Sequence, residues 1–332
     1  MSHANAQERM RSLVAGDTTF LLCDTAILQL ASMGGTDCWG WSASDGTDYA
    51  VMGTQNGLSF VSLATMSVVD QIAGPESGCS NSFWRDMVTY GHYLYCVSEC
   101  SGTNQGLMVI NLQYLPDSAH LIRTINIDPF GDAWSHNMAI DTVKGYAYLE
   151  GNWWAGSSVQ IMNLANPESP VWVNEFGIGN GGIHDIYVMN DTAYIAEGSN
   201  GSFSIYDLTN KTSPQLLARV TIPNPGYVHN IWPTDDRRHV VTTEETAFHT
   251  VKIWNIENLA NIQLSGEYLA PNNLAHNVHV VGNSTMFISH YQSGVAWVDI
   301  SDPSNPRELV VYDTWVDEDP DFFGCWGVFP HT

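Results

Sequence analysis

Five segments of this chain repeat one pattern, and no feature constrains its fold more. They read RDMVTYGHYLYCVSE from Arg85, HNMAIDTVKGYAYLEG from His136, HDIYVMNDTAYIAEG from His184, HNIWPTDDRRHVVTTEE from His229 and HNVHVVGNSTMFISHY from His276. Each has an alternating apolar run, a turn rich in Gly, Asn or Asp, and a second run rich in Tyr, Val and Ile, which is a hairpin signature. A third apolar run ending on Asp or Asn follows, as in LMVIN at 107–111, SIYD at 204–207, VKIWN at 251–255 and AWVD at 296–299. Then come a Pro-rich turn, NPESP at 166–170 or DPSNP at 302–306, and a fourth run such as ELVVYD at 308–313. One unit is therefore four antiparallel strands.

Cys38-Trp39-Gly40-Trp41 and Cys325-Trp326-Gly327-Val328 match the start of the unit. The anchors 39, 85, 136, 184, 229, 276 and 326 are thus spaced by 46, 51, 48, 45, 47 and 50 residues. No stripe of period 3.6 interrupts them. Repeated four-stranded units without helices are propeller blades, so the expectation is an all-β β-propeller of four-stranded antiparallel blades. Seven anchors predict seven blades, the last closed by both termini, with TTFLLCDTAILQL at 18–30 as its outer strand. The alternative is six, because the seventh unit stops just after its first strand. On this reading residues 1–17 are an N-terminal extension and 18–332 a single propeller domain.

The balance of 11 basic against 35 acidic residues gives a net charge of −24. Such a chain repels phosphate backbones, which argues against nucleic acid as a partner and favours cations. No run of 18 apolar residues is present, so no membrane span is expected. The first residues lack the apolar stretch of a signal peptide. The six cysteines form no CxxC pair, which argues against a zinc ribbon. No GxSxG elbow, P-loop or dinucleotide fingerprint occurs.

The pattern of strand, Asp and Pro turn resembles the LVIVD-repeat proteins, and most closely the group called choice-of-anchor B. The carrying segments are DCWGW at 37–41, WRDMVTYGHYLYCVSE at 84–99, LAHNVHVVGN at 274–283, GVAWVDISDPSNPREL at 294–309 and FFGCWGVFP at 322–330. The resemblance implies a β-propeller that is extracellular or attached to the cell surface. It implies little about chemistry.

The first strand of a propeller blade lines the channel. His136, His184, His229 and His276 hold the position at its start in four consecutive units, Arg85 holds it in the unit before, and Trp39 and Trp326 in the other two. The end of the second strand carries a second repeated polar position: Glu99, Glu150, Glu197, Glu244 and His290, at offsets of 14, 14, 13, 15 and 14. Four imidazoles at one mouth point to a divalent transition metal, Zn, Fe or Cu, with His136, His184, His229 and His276 as ligands. Nearby carboxylates would fix their tautomers. Arg85, Glu150, Glu197, Tyr227 and His290 are the candidate catalytic groups. A small-molecule or sugar ligand suits a mouth that is half polar and half aromatic, with Trp41, Trp84, Trp134, Trp153, Trp154, Tyr227, Trp232 and Tyr291 near its loops.

A structural role stands beside each of these. Asp86, Asn137, Asp185, Asn230 and Asn277, one residue after each anchor, suit bonding between neighbouring blades. His92, His239, His249 and His279 fall off the pattern and read as surface or packing residues. Cys38 with Cys325, and Cys79 with Cys100, are the pairings the repeat suggests for disulfides. Three functions remain open at this point. One is a metal-binding propeller, as an enzyme an oxygenase, lyase or hydrolase. The second is a metal-free polysaccharide lyase or hydrolase in which Arg85 neutralises a uronate. The third is a non-catalytic binding scaffold at the cell surface.

Overall fold

The computed structural model describes residues 9–11, 35–74, 84–99, 106–127, 129, 134–150, 158–178, 182–270, 274–313 and 322–331. They form an all-β β-propeller with six blades, each a four-stranded antiparallel sheet running from first to fourth strand in chain order. The first and second strands are Gly35–Ser42 and Asp48–Thr54 in blade one, and Arg85–Tyr90 and Tyr93–Ser98 in blade two. They are Met138–Asp141 and Tyr146–Glu150 in blade three, and Asp185–Met189 and Thr192–Ala196 in blade four. Val228–Pro233 and His239–Glu244 serve blade five, and Val278–Val281 and Thr285–Ser289 blade six.

Local chemistry explains the unit. Third strands such as Gly57–Ser62 and Leu107–Asn111 are buried along their whole length, as befits a strand covered on both faces. Fourth strands such as Gln215–Thr221 are largely exposed edges. In blades two to six the Asp or Asn closing the third strand accepts a hydrogen bond from the amide two residues on, the Asx turn that these side chains favour. The pairs are Asn111 with Gln113, Asn163 with Ala165, Asp207 with Thr209, Asn255 with Glu257 and Asp299 with Ser301, at 2.7–3.0 Å. That turn is why the sequence pattern of strand, Asp and Pro recurs.

Among the described residues six blades are present, the alternative expectation, rather than seven. The seventh anchor does not open a hairpin. Cys325 instead forms an isolated antiparallel bridge with Tyr291, just past the second strand of blade six. A lone strand has no partner on which to bury a face, and it docks on a blade that already exists. The expected closing strand at 18–30 lies outside the described residues. A short strand, Arg9–Arg11, pairs with the fourth strand of blade six, Arg307–Asp313, and makes that sheet five-stranded. The expected Cys38–Cys325 disulfide is not formed. Cys79 and Cys100 lie outside the described residues.

The chain divides into two compact units. The larger holds blades one to four, within 25–219, together with His331; the smaller holds blades five and six, within 220–330. In the larger unit, Met138 N–H donates to Asp86 at 2.7 Å and Asn137 Nδ2 donates to Asp185 Oδ1 at 2.7 Å. In the smaller, Val278 N–H donates to Asn230 Oδ1 at 3.0 Å. At these three junctions the residue after the anchor ties one blade to the next, as its chemistry suggests. No helix among the described residues is long and apolar enough to cross a membrane.

The smaller unit has a core of Val241, Val251, Ile253, Val278, Met286, Ile288 and their neighbours, against which Trp232 packs. His279 stacks on Trp232 at 4.0 Å between ring centroids, and burial pushes its imidazole down to about 3. The unfolded chain therefore binds one more proton than the folded chain between about pH 3 and the ordinary histidine range near 6.5. Stability should fall as the pH drops through that window, by about 2 kcal/mol at pH 5 from this residue alone. Urea unfolding of His279→Phe at pH 7 and pH 5 checks it. The variant should lose measurably less on acidification than the parent, and an equal loss would remove His279 as the cause.

Candidate metal centre

The strand pairing separates residues that equal sequence offsets group together. Two residues past each anchor position, Met87 pairs with Cys96, Met138 with Leu149, Ile186 with Ile195, Ile231 with Thr242 and Val278 with Ile288. Counting two residues on from each partner gives Ser98 in blade two, Glu197 in blade four, Glu244 in blade five and His290 in blade six, and the bulge in blade five leaves Glu244 paired with Val228, one residue before the anchor. Glu150 falls one residue short of that count and Glu99 one beyond. A one-residue slip turns a side chain to the other face of the sheet. The five residues therefore occupy three different positions, and the residue equivalent to Glu99 in blade five is Glu245.

Glu245 is the residue that completes a site. In the smaller unit, His229, Glu245 and His276 bring one donor atom each within 4.8 Å of one another. His229 Nε2 lies 3.6 Å from Glu245 Oε2, and His276 Nε2 lies 3.9 Å from Glu245 Oε1. Both histidines are almost fully buried, 3% and 1% exposed, and their rings are 4.2 Å apart. His229 sits in the first strand of blade five, where the pairing shifts register between Val228 and Ile231. The amide of Glu245 donates to Tyr227 O at 2.8 Å, and Tyr227 N–H donates to Thr246 Oγ1 at 2.9 Å. These bonds hold the carboxylate at the strand end.

A shell of partners orients the three. His276 Nδ1 contacts the Trp326 carbonyl, which can only accept, so Nδ1 carries the proton. In the neutral ring Nε2 then has its lone pair free to ligate. Ser289 Oγ donates to the same carbonyl at 2.9 Å. The Tyr291 phenol donates to Glu245 Oε1. Burial, then the Glu245 charge and that bond, push the phenol well above its usual range. Tyr291 adopts a φ of +40°, in the left-handed region, and is held there by two backbone hydrogen bonds with Cys325 at 3.0 and 2.8 Å. Phe322 packs edge-on against Tyr291 at 5.5 Å and is 60% exposed at the rim.

The other candidates are placed differently. His136 and His184 meet edge to face at 4.6 Å in the larger unit, and His136 Nδ1 lies 2.6 Å from Glu99 Oε1. Arg85 is buried, with Nε donating to Thr54 O at 2.9 Å and one Nη to Gln55 O at 3.4 Å. Its guanidinium thus caps the second strand of blade one. Glu197 accepts from Arg219 at 2.9 Å and from Ser202. Glu150 is 2% exposed, and its Oε2 has no hydrogen-bond partner among the described residues. Burial, then the charges of Asp185, Glu99 and Asp86, raise its carboxyl well above the carboxylate range. His290 is wholly buried beside Tyr268, and burial pushes it down to about 4. The Tyr227 ring is 6.4 Å from that of His229. Trp41 and Trp232 pack into the cores of their units, and Trp153 and Trp154 lie outside the described residues.

The family model of the LVIVD repeat matches residues 180–222 and 274–314. The chain carries LVIVD repeats. They coincide with blade four and blade six, so the repeat and the blade are one unit, and His276 opens the second of them. No curated protein matches the chain in sequence. Among solved structures, the chain is similar to one described as the RRP9 WD40 repeats, at a TM-score of 0.61 and 13% identity over 86% of this chain and 82% of that one. It is similar to U3-55K at 0.60 and 12%, over 86% and 83%. Hydrazine synthase of Kuenenia stuttgartiensis matches at 0.58 and 14%, over 84% and 81%. At these identities the likeness is one of fold alone.

Proposed function

We propose that this LVIVD-repeat propeller binds one divalent transition metal through His229, Glu245 and His276 and uses it on a small molecule. The observation that carries the reading is the convergence of the three donor atoms, with the His276 tautomer set by a backbone carbonyl. Two imidazoles and one carboxylate suit zinc or iron and leave coordination positions open for water or substrate. Bound there, the metal would polarise a substrate oxygen or lower the pKa of a bound water. Tyr291 keeps the carboxylate in place, and the exposed ring of Phe322 offers an apolar wall for the ligand. Of the four histidines expected to share one metal, His229 and His276 belong to this centre. The resemblance to exported propellers supports a place at the cell surface, where a small molecule or sugar would reach the site.

Metal analysis tests the reading. Chain purified without chelator, or stripped and reloaded with zinc or iron, should hold one tightly bound ion. His276→Ala and Glu245→Gln should each weaken binding at least a hundredfold while the blades stay folded. Metal contents unchanged by both substitutions would sink it.

A further inference from the structure

The His229, Glu245 and His276 group is bordered by aromatic rings. The Tyr227 ring is 6.4 Å from that of His229, Tyr291 and Trp326 lie 4.7 and 4.5 Å from His276, and Phe322 packs on Tyr291 at 5.5 Å. Tyr227 and Trp326 are half-buried, whereas Phe322 and its neighbour Phe323 are exposed. The loop that Glu245 opens adds Phe248, also exposed, at a φ of +69° that a bulky side chain rarely adopts. Exposed apolar rings beside a polar centre mark a ligand-binding surface. The polar groups of the same centre already bond one another, Tyr291 with Glu245, and His276 and Ser289 with the Trp326 carbonyl.

We infer that the ligand of this centre is a phenolic or related aromatic compound, with an oxygen donor beside its ring, rather than a sugar. The inference rests on the metal reading above: the oxygen reaches the metal and the ring lies against Phe322. A sugar carries hydroxyls all round its ring, and each one buried without a partner is costly. The groups named here are already paired with one another, so they suit such a ligand poorly. An aromatic ring needs no such partners and gains from offset or edge-on contact with Phe322 and Tyr227.

Calorimetry on the zinc-loaded chain with benzohydroxamate and acetohydroxamate tests this, since the two probes share a chelating group and differ in the ring. Benzohydroxamate should bind about tenfold more tightly, the gain expected from burying a ring against aromatic neighbours. Phe322→Ser should cut that ratio to about threefold or less, and Phe322→Tyr, which restores a ring, should keep it. Taking the ratio within one chain cancels any change in metal affinity. Zinc uptake with equal affinity for the two probes, or a ratio that survives Phe322→Ser and Phe248→Ser together, would overturn the aromatic ligand and leave the metal reading standing. A chain that takes up no zinc would instead mark the failure of the metal reading, and the aromatic ligand would fall with it.

Discussion

Lys252→Met should destabilise the smaller unit by about 3–5 kcal/mol, the usual cost of leaving a buried charge without its partner. Lys252 Nζ contacts Glu244 Oε1, and the Glu244 side chain is fully buried. His249 Nδ1 at 3.1 Å and the Gly226 amide bond the other carboxylate oxygen. Removing the lysine leaves a fully buried carboxylate with only His249 and the Gly226 amide beside it. Adding Glu244→Gln should recover most of the loss, because the amide oxygen still accepts from Gly226 while the charge is gone. Urea unfolding of the two single variants and the double variant gives the coupling directly. A single-variant cost under about 1 kcal/mol would place the pair with surface ion pairs. The pair also bears on function. Glu244 anchors Gly226 beside Tyr227, and Tyr227 O accepts from the Glu245 amide. Lys252→Met should therefore loosen metal binding as well as the fold.

The propeller was legible in the sequence because a blade is specified locally. Hairpin turns, the Asx turn after the third strand of blades two to six and the Asp or Asn that ties blades together all lie within a few residues of the pattern they interrupt. The site was legible in part, for a physical reason. His229 and His276 stand at a fixed place at the start of a strand, so counting along the repeat finds them. The carboxylate stands at the end of the second strand, after a turn whose length varies. Blade three closes its hairpin through Asp141–Tyr146, blade four through Met189–Thr192 and blade five through Pro233–Val240. Equal offsets therefore name Glu150, Glu197 and Glu244 as equivalents, whereas the pairing puts Glu150 on the other face and brings in Glu245. The doubled glutamate at 244–245 is the one signal that two roles exist there, one for an ion pair and one for the site. The choice between seven blades and the alternative of six turned on a related point. Cys325-Trp326-Gly327 looks like the start of a blade, but its backbone completes blade six instead.

That backbone role leads to a second large effect. Trp326 holds His276 through its carbonyl, so the side chain is not what matters for the tautomer. Trp326→Ala loses a ring contact at 4.5 Å but keeps the carbonyl, and metal affinity should fall by no more than a few-fold. Gly324 is different. It has a φ of +109°, and a Cβ there would lie 2.4 Å from the Tyr291 carbonyl oxygen. Gly324→Val should push the 324–326 segment off Tyr291 and break the Cys325 bridge with it. His276 Nδ1 and Ser289 then lose their shared acceptor, and Tyr291 loses the bonds that hold its strained backbone. Outer-shell partners of metal-bound histidines typically control affinity by 10–100-fold, which is the loss expected here. Deleting residues 324–332 should do the same, since it removes the same carbonyl. Zinc titration of the three variants separates backbone from side chain. If Trp326→Ala proves as damaging as Gly324→Val, the ring rather than the carbonyl orients His276, and the tautomer argument fails with it.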